Sequence, residues 1–305
     1  MAIPIIIDTD PGIDDIIAIS AAIHSKDLDV KLITSVGGNV GIEHTTQNAL
    51  DIVNYFKKDI PVAKGVDTPL INKLATAEHV HGHNGIGNVQ FMTSSQTNIL
   101  EDHAVIAMKE TIMNSEEPIT FVPIGPLTNI ALLFSLFPET KSNIKQIVLM
   151  GGSAVGGNAT PLAEFNIYVD PHAAQIVFNQ DIPIVMCGLD VTRETKINHD
   201  DIQTIKKQGD FGNLITDMLE VYNDVNSGEK HEHIIHDLCT IFYLLYPEMF
   251  TTKRADVSVI TEGQAAGCTY TEFNKEGKVE VCMHANNKQF REKFVEFVKD
   301  IHQSR

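Results

Sequence analysis

The first two dozen residues restrict this chain to a small set of architectures. Ile3-Pro4-Ile5-Ile6-Ile7 is a short apolar, mostly β-branched run, the pattern of a strand buried on both faces. Ile16-Ile17-Ala18-Ile19-Ser20-Ala21-Ala22-Ile23 reads as a mostly buried helix. Between them lies Asp8-Thr9-Asp10-Pro11-Gly12-Ile13-Asp14-Asp15. A doubly covered strand that passes straight into a helix belongs to an α/β sheet. The polar turn then falls at the carboxyl end of the strand, where open α/β sheets bind their ligands.

The pattern repeats. Val30 to Val36 is apolar and ends in Gly37-Gly38-Asn39, and Glu43 to Lys57 has helical spacing. Ile119 to Ile124 ends in Gly125-Pro126, with Pro126 suited to the first turn of a helix from Leu127 to Phe137. Gln146 to Met150 ends in Gly151-Gly152, Asp170-Pro171 opens a helix to Phe178, and Ile182 to Leu189 ends at Asp190. Helices are expected around Asp201–Lys207, Phe211–Val225 and Asp237–Leu245. Strands are expected at Val257–Thr261 and Lys278–Met283, before a helix at Lys288–Ile301. This alternation predicts an α/β fold with a mainly parallel central sheet, a Rossmann-like core and helices on both faces. With no Pro/Ser-rich linker, low-complexity tract or repeat, residues 1–305 are expected to form a single domain. His79 to Asn88, rich in Gly, His and Asn and without periodicity, reads as a mobile surface loop or lid.

A net charge of -17 argues against a nucleic-acid partner and against an anionic membrane surface. No run approaches the ~18 apolar residues of a membrane span. The chain enters its first strand without a charged leader, and its four cysteines (Cys187, Cys239, Cys268, Cys282) are scattered. Reduced thiols and a cytoplasmic location are expected.

Four carboxylates in one turn repel each other and raise each other's pKa unless a positive charge lies among them. A helix N-terminus supplies only about half a charge. A bound cation is the natural remedy, and an all-oxygen ligand set points to Ca²⁺ or Mg²⁺. Asp10, Asp14 and Asp15 face one strand-to-helix corner. N-capping and dipole compensation would explain one or two of these acids only. Ala163-Glu164-Phe165-Asn166 offers paired acceptors and donors suited to vicinal sugar hydroxyls, or else is an ordinary polar turn. In Ile234-Ile235-His236-Asp237, Asp237 reads either as an N-cap or as a metal ligand, and His236 as its packing neighbour or as a proton donor. The turn Val122-Pro123-Ile124-Gly125-Pro126-Leu127-Thr128-Asn129 leaves a backbone carbonyl that calcium accepts.

Taken in order, DTDPGIDD, VPIGPLTNIA, LMGGSAVGGNATPLAEFNIYVDPHAA and HD resemble the inosine/uridine-preferring nucleoside hydrolase family over nearly the whole chain. The resemblance implies hydrolysis of the N-glycosidic bond of ribonucleosides such as uridine, cytidine or inosine, in nucleoside salvage. It implies a homodimer or homotetramer and one Ca²⁺ per subunit. By position the metal ligands would be Asp10, Asp15, the carbonyl of Ile124 and Asp237, with Asp10 as general base toward a calcium-bound water. Asp14, Asn39, Asn158, Glu164 and Asn166 would hold the ribose over Met150. His81 and His236 would face the base, His236 as proton donor. Where some members carry tyrosines that close over the base, the stretch Met218 to His233 holds Tyr222 alone.

Two other readings compete. One is a Mg²⁺-dependent phosphatase of the haloacid dehalogenase kind with Asp8 as nucleophile, although Gly12 stands where that motif carries Thr or Val. The other is a non-catalytic protein that binds calcium or ribonucleosides.

Overall fold

Ile5 and Ile7 pack into one hydrophobic core and Ile6 into another, so the first strand is covered on both sides. That alternation organises the whole molecule. The computed structural model describes residues 2–87, 89–91, 99–222 and 232–303. Its strands are β1 (Ile3–Thr9), β2 (Leu28–Ser35), β3 (Val62–Lys64), β4 (Ile119–Pro123), β5 (Ile144–Met150), β6 (Ile184–Cys187), β7 (Lys196–Ile197), β8 (His233–Ile234), β9 (Phe250–Val259), β10 (Thr269–Phe273) and β11 (Val279–Ala285). Nine of them form one sheet in the order β3-β2-β1-β4-β5-β6-β11-β9-β10. Every pairing from β3 to β11 is parallel, and β9 runs antiparallel to both its neighbours. β7 and β8 make a separate antiparallel ribbon.

The chain moves outward from β1 through β2 to β3, then returns to the other side of β1 with β4, β5 and β6. The strand order therefore reverses between β1 and β4. The crevice outside the carboxyl ends of those strands is where such sheets bind ligands. Asp10 follows β1 and Ile124 follows β4, so both stand at this point.

Helix Ile13–His24 is buried at every position except its last, as expected of a helix with apolar residues on every face. It packs against the apolar helix Leu238–Leu245. Through that contact two segments more than 200 residues apart bring their N-terminal ends together.

Several elements differ from expectation. The strand foreseen at Ile182 to Leu189 covers only Ile184–Cys187, because Gly188 turns the chain into a short helix, Leu189–Thr192. The strand foreseen at Val257–Thr261 begins at Phe250, paired along β11. The loop expected from His79 opens instead with a helical turn, Glu78–His81, whose His81 is buried. Asn88 and residues 223–229 lie outside the described residues. The cysteines are free thiols, three of them buried. Among the described residues no helix is long and apolar enough to cross a membrane.

Candidate active site

The acids of the first turn are buried rather than solvated. Asp10 and Asp15 are fully inaccessible, and Asp14 and Asp237 nearly so. Asp15 accepts a hydrogen bond from the Thr9 hydroxyl at 2.6 Å, from the Gly12 N–H at 2.9 Å and from Asn39 Nδ2 at 3.1 Å. The capping expected at this helix start is therefore real for Asp15, whose carboxylate reaches back to the N–H of the N-cap residue Gly12. It does not extend to Asp237. That residue occupies the N-cap of helix Leu238–Leu245, yet its side chain makes no capping bond and meets Asp15 instead.

Asp14, Asp15 and Asp237 each offer an oxygen within 4.8 Å of the others. Asp10 adjoins them. Its Oδ2 accepts the Asn39 N–H at 2.7 Å, and its Oδ1, though buried, has no hydrogen-bond partner among the described residues. Two glycines make room for this carboxylate. A Cβ on Gly38 would fall 2.0 Å from Asp10 Oδ2, and one on Gly125 would fall 2.6 Å from Oδ1. Gly38→Ala is thus expected to push Asp10 out of place and lower kcat at least about tenfold, measured beside a thermal melt that shows the fold retained.

Electrostatics agree with the crowding. Burial first, then the charges of Asp15 and Asp14, push the Asp10 carboxyl well above the ordinary range. Burial and the charges of Asp14, Asp15 and Asp10 do the same to Asp237. Burial raises Asp15 as well, against the hydrogen bonds it receives. The two helix N-termini do not balance four acids. An orphaned buried carboxylate oxygen inside an all-oxygen cluster fits a hard divalent cation.

Beside the cluster opens a cleft of about 250 Å³. All eight residues expected at the substrate line it: Asp14, Asn39, His81, Met150, Asn158, Glu164, Asn166 and His236. Of the expected metal ligands, Ile124 and Asp237 line it, while Asp10 and Asp15 are fully buried and do not. Asp14, expected at the ribose, is also close enough to the other acids to share an ion.

Each polar side chain is held. Glu164 caps the short helix Phe165–Val169 and accepts from the N–H groups of Gly152 (2.9 Å), Asn166 (3.0 Å) and Ile167 (3.2 Å). The segment around Glu164 and Asn166 is therefore a buried helix start rather than an ordinary polar turn. Burial raises the Glu164 carboxyl, against those donors. Asn158 Oδ1 accepts the Phe165 N–H at 2.9 Å. Asn166 Nδ2 donates to the carbonyls of Ile124 (3.0 Å) and Met150 (3.2 Å). His81 Nδ1 accepts the Ile13 N–H at 3.1 Å and lies 3.9 Å from Asp14. His236 Nδ1 is 2.7 Å from Thr192 Oγ1.

The cleft has further walls that the sequence reading did not assign. Ala75, Thr76, Ala77, Val80 and Ala159 contribute small or backbone surface, and Phe165, Tyr168 and Tyr222 contribute rings. The Tyr222 ring lies 5.3 Å from that of His81. The rings flanking Asn166 were discoverable as neighbours of a quoted motif, whereas residues 75–77 carry no pattern that singles them out. His79 also lines the cleft, whereas His83 is exposed and pairs with Glu78.

The model of the inosine-uridine preferring nucleoside hydrolases matches residues 5–292. This chain belongs to that family. It is accordingly an enzyme of the N-glycosidase class. The nucleoside hydrolase is 46% identical over 271 residues to the non-specific ribonucleoside hydrolase RihC of Salmonella newport, covering 88% of this chain and 87% of the relative. Among solved structures it superposes on a purine-preferring ribonucleoside hydrolase from Gardnerella vaginalis with a TM-score of 0.92, at 28% identity and 99% and 100% coverage of the two chains. The plant nucleoside hydrolase PpNRh1 gives a TM-score of 0.90 at 29% identity, with 98% and 99% covered. Membership disposes of the phosphatase reading, and the structure agrees with that. Asp8 is fully buried, accepts from Thr34 Oγ1 (2.6 Å) and Asn129 Nδ2 (2.8 Å), and does not line the cleft.

Proposed function

We propose that this nucleoside hydrolase cleaves the N-glycosidic bond of ribonucleosides such as uridine, cytidine or inosine, releasing ribose and the free base with the help of one calcium ion. The observation that carries the reading is the buried acid cluster, drawn from residues 10–15 and from residue 237, opening onto a cleft lined with sugar-type partners. Asp10, Asp15, the Ile124 carbonyl and Asp237 would hold the ion, with Asp14 adjacent. When bound, calcium supplies positive charge that polarises the attacking water and the ribose hydroxyls.

The protein's own groups do the rest. Breaking a ribosyl C–N bond builds positive charge on the sugar, an oxocarbenium-like state. Buried carboxylates around the ring favour that state over the neutral ground state, which is where catalysis must act. Glu164, fixed by three backbone donors, and Asp14 are such groups. Asn39, Asn158 and Asn166 orient the ring hydroxyls over Met150, and such positioning is worth up to about 7–11 kcal/mol in favourable cases. Asp10 takes the proton of the attacking water as general base. His81 and His236 face the base, and His236 protonates the leaving nitrogen.

Family resemblance also supports a cytoplasmic homodimer or homotetramer working in nucleoside salvage. Sedimentation velocity measures the assembly.

Release of free base from uridine and inosine, followed by absorbance, tests the activity. Turnover with Ca²⁺ that stops on chelation is expected. Tight nucleoside binding with no base released would establish the binding-protein reading instead. For the proton donor, His236→Ala is expected to lower kcat on inosine about 10²-fold or more while changing p-nitrophenyl riboside, whose leaving group needs no proton, by much less. Equal losses on both substrates would remove His236 from that role.

A further inference from the structure

The short helix Leu189–Thr192 follows β6 through Gly188, and together with Arg193 it contacts His236 on one side of the cleft and the loop before Asn158 on the other. On the leaving-group side, Thr192 is fully buried and its Oγ1 lies 2.7 Å from His236 Nδ1. The two nitrogens of an imidazole face different directions, so a hydroxyl held against Nδ1 fixes the direction in which Nε2 points. A hydroxyl can accept from a protonated Nδ1 or donate to a bare one, so Thr192 holds the ring in either state.

On the sugar side, Asp190 Oδ2 accepts the Ala154 N–H at 2.7 Å, and Arg193 Nη2 donates to the Gly157 carbonyl at 2.7 Å. Both partners lie on the glycine-rich loop that delivers Asn158 to the cleft. The contact is backbone-tight: a Cβ on Gly188 would fall 2.6 Å from the Gly152 carbonyl oxygen.

We propose that residues 189–193 are a positioning element for the reaction: Thr192 aims the His236 imidazole at the leaving base, while Asp190 and Arg193 fix the loop that carries Asn158. None of these three side chains lines the cleft, so each acts through another residue. The Thr192 half rests on His236 being the proton donor under the proposed function.

The two halves predict opposite kinetic signatures. Thr192→Val removes the hydroxyl at nearly constant shape. It is expected to lower kcat on inosine about tenfold or more, to change p-nitrophenyl riboside by less than about threefold, and to leave KM nearly unchanged, part of the loss an absent acid would cause. Thr192→Ser, which restores the hydroxyl, is expected to recover most of the inosine rate. Arg193→Gln is expected to raise KM about fivefold or more on both substrates alike, with a smaller change in kcat. Should Thr192→Val fail to fold, Thr192→Ala carries the same comparison.

His236→Ala is measured in parallel. If it discriminates between the two leaving groups and Thr192→Val does not, Thr192 is merely structural and the proposal is overturned while the proton-donor role stands. If His236→Ala itself shows equal losses, both the donor role and the Thr192 half fail together. An Arg193→Gln effect confined to one leaving group would overturn the other half.

Discussion

Asp10→Asn is expected to lower kcat on uridine or inosine by about 10²–10⁴-fold, the range for loss of a positioned general base. It is also expected to abolish or strongly weaken calcium binding. The substitution is nearly isosteric, and an amide oxygen can still accept the Asn39 N–H that Asp10 Oδ2 now accepts at 2.7 Å. What is lost is charge and basicity. A second readout separates this from simple damage. In the metal-free protein Asp10 sits buried among Asp14, Asp15 and Asp237, whose charges repel it. Removing one of four like charges relieves that repulsion, so metal-free Asp10→Asn is expected to melt above metal-free wild type. A variant that loses activity and also melts lower would mark Asp10 as a structural residue. A variant that keeps normal kcat after chelation would remove it from the mechanism.

The second large effect is the pH dependence of the metal-free protein. Asp10, Asp15, Asp237 and Glu164 all carry raised pKa values, and burial pushes Asp8 up to about 7. In the unfolded chain an aspartate titrates near 3.9. Between that value and the folded one, the native state holds protons that the unfolded state has released. Stability then falls as pH rises through the window, by about 1.4 kcal/mol per pH unit for each group inside it. For Asp8 the window runs from about 4 to about 7. Metal-free protein is therefore expected to lose Tm from pH 6 to pH 8. Calcium should restore it, and by more at pH 8, because a cation offsets the charge that the deprotonated cluster exposes. Ligand linkage alone contributes about 4 kcal/mol at a thousandfold excess over Kd. A metal-free Tm that rises over this interval would contradict the account of the cluster.

Much of the fold was legible because the central strands are covered on both faces. A strand such as β1 then reads as an unbroken apolar run, and the helix after it as another. The candidate site was legible for a related reason: four acids between two apolar runs are more than capping and dipole compensation use, and the Gly37-Gly38-Asn39 and Gly151-Gly152 strand ends announce close backbone approach. The missed elements lack those signals. β3 has three residues, and β10 lies at the sheet edge with Tyr270 and Phe273 exposed, so no burial contrast marks it. The helix at Ala104–Met113 is a short apolar stretch that periodicity does not separate from a strand. The turn at Glu78–His81 is held partly by a hydrogen bond from Ile13 to His81, a partner 68 positions away. The same holds for Asp237, whose local position suggests a cap and whose actual neighbour is Asp15, and for Thr192, which nothing near it in sequence links to His236.

The central claim is that acids from the start of the chain and from residue 237 share one divalent ion at the edge of the cleft. A crystal structure of the calcium-loaded protein tests it most directly. The account predicts one ion per chain with carboxylate oxygens of Asp10, Asp15 and Asp237 at about 2.3–2.6 Å. A fully active enzyme with calcium bound elsewhere, or with Asp237 turned away from the ion, would contradict it.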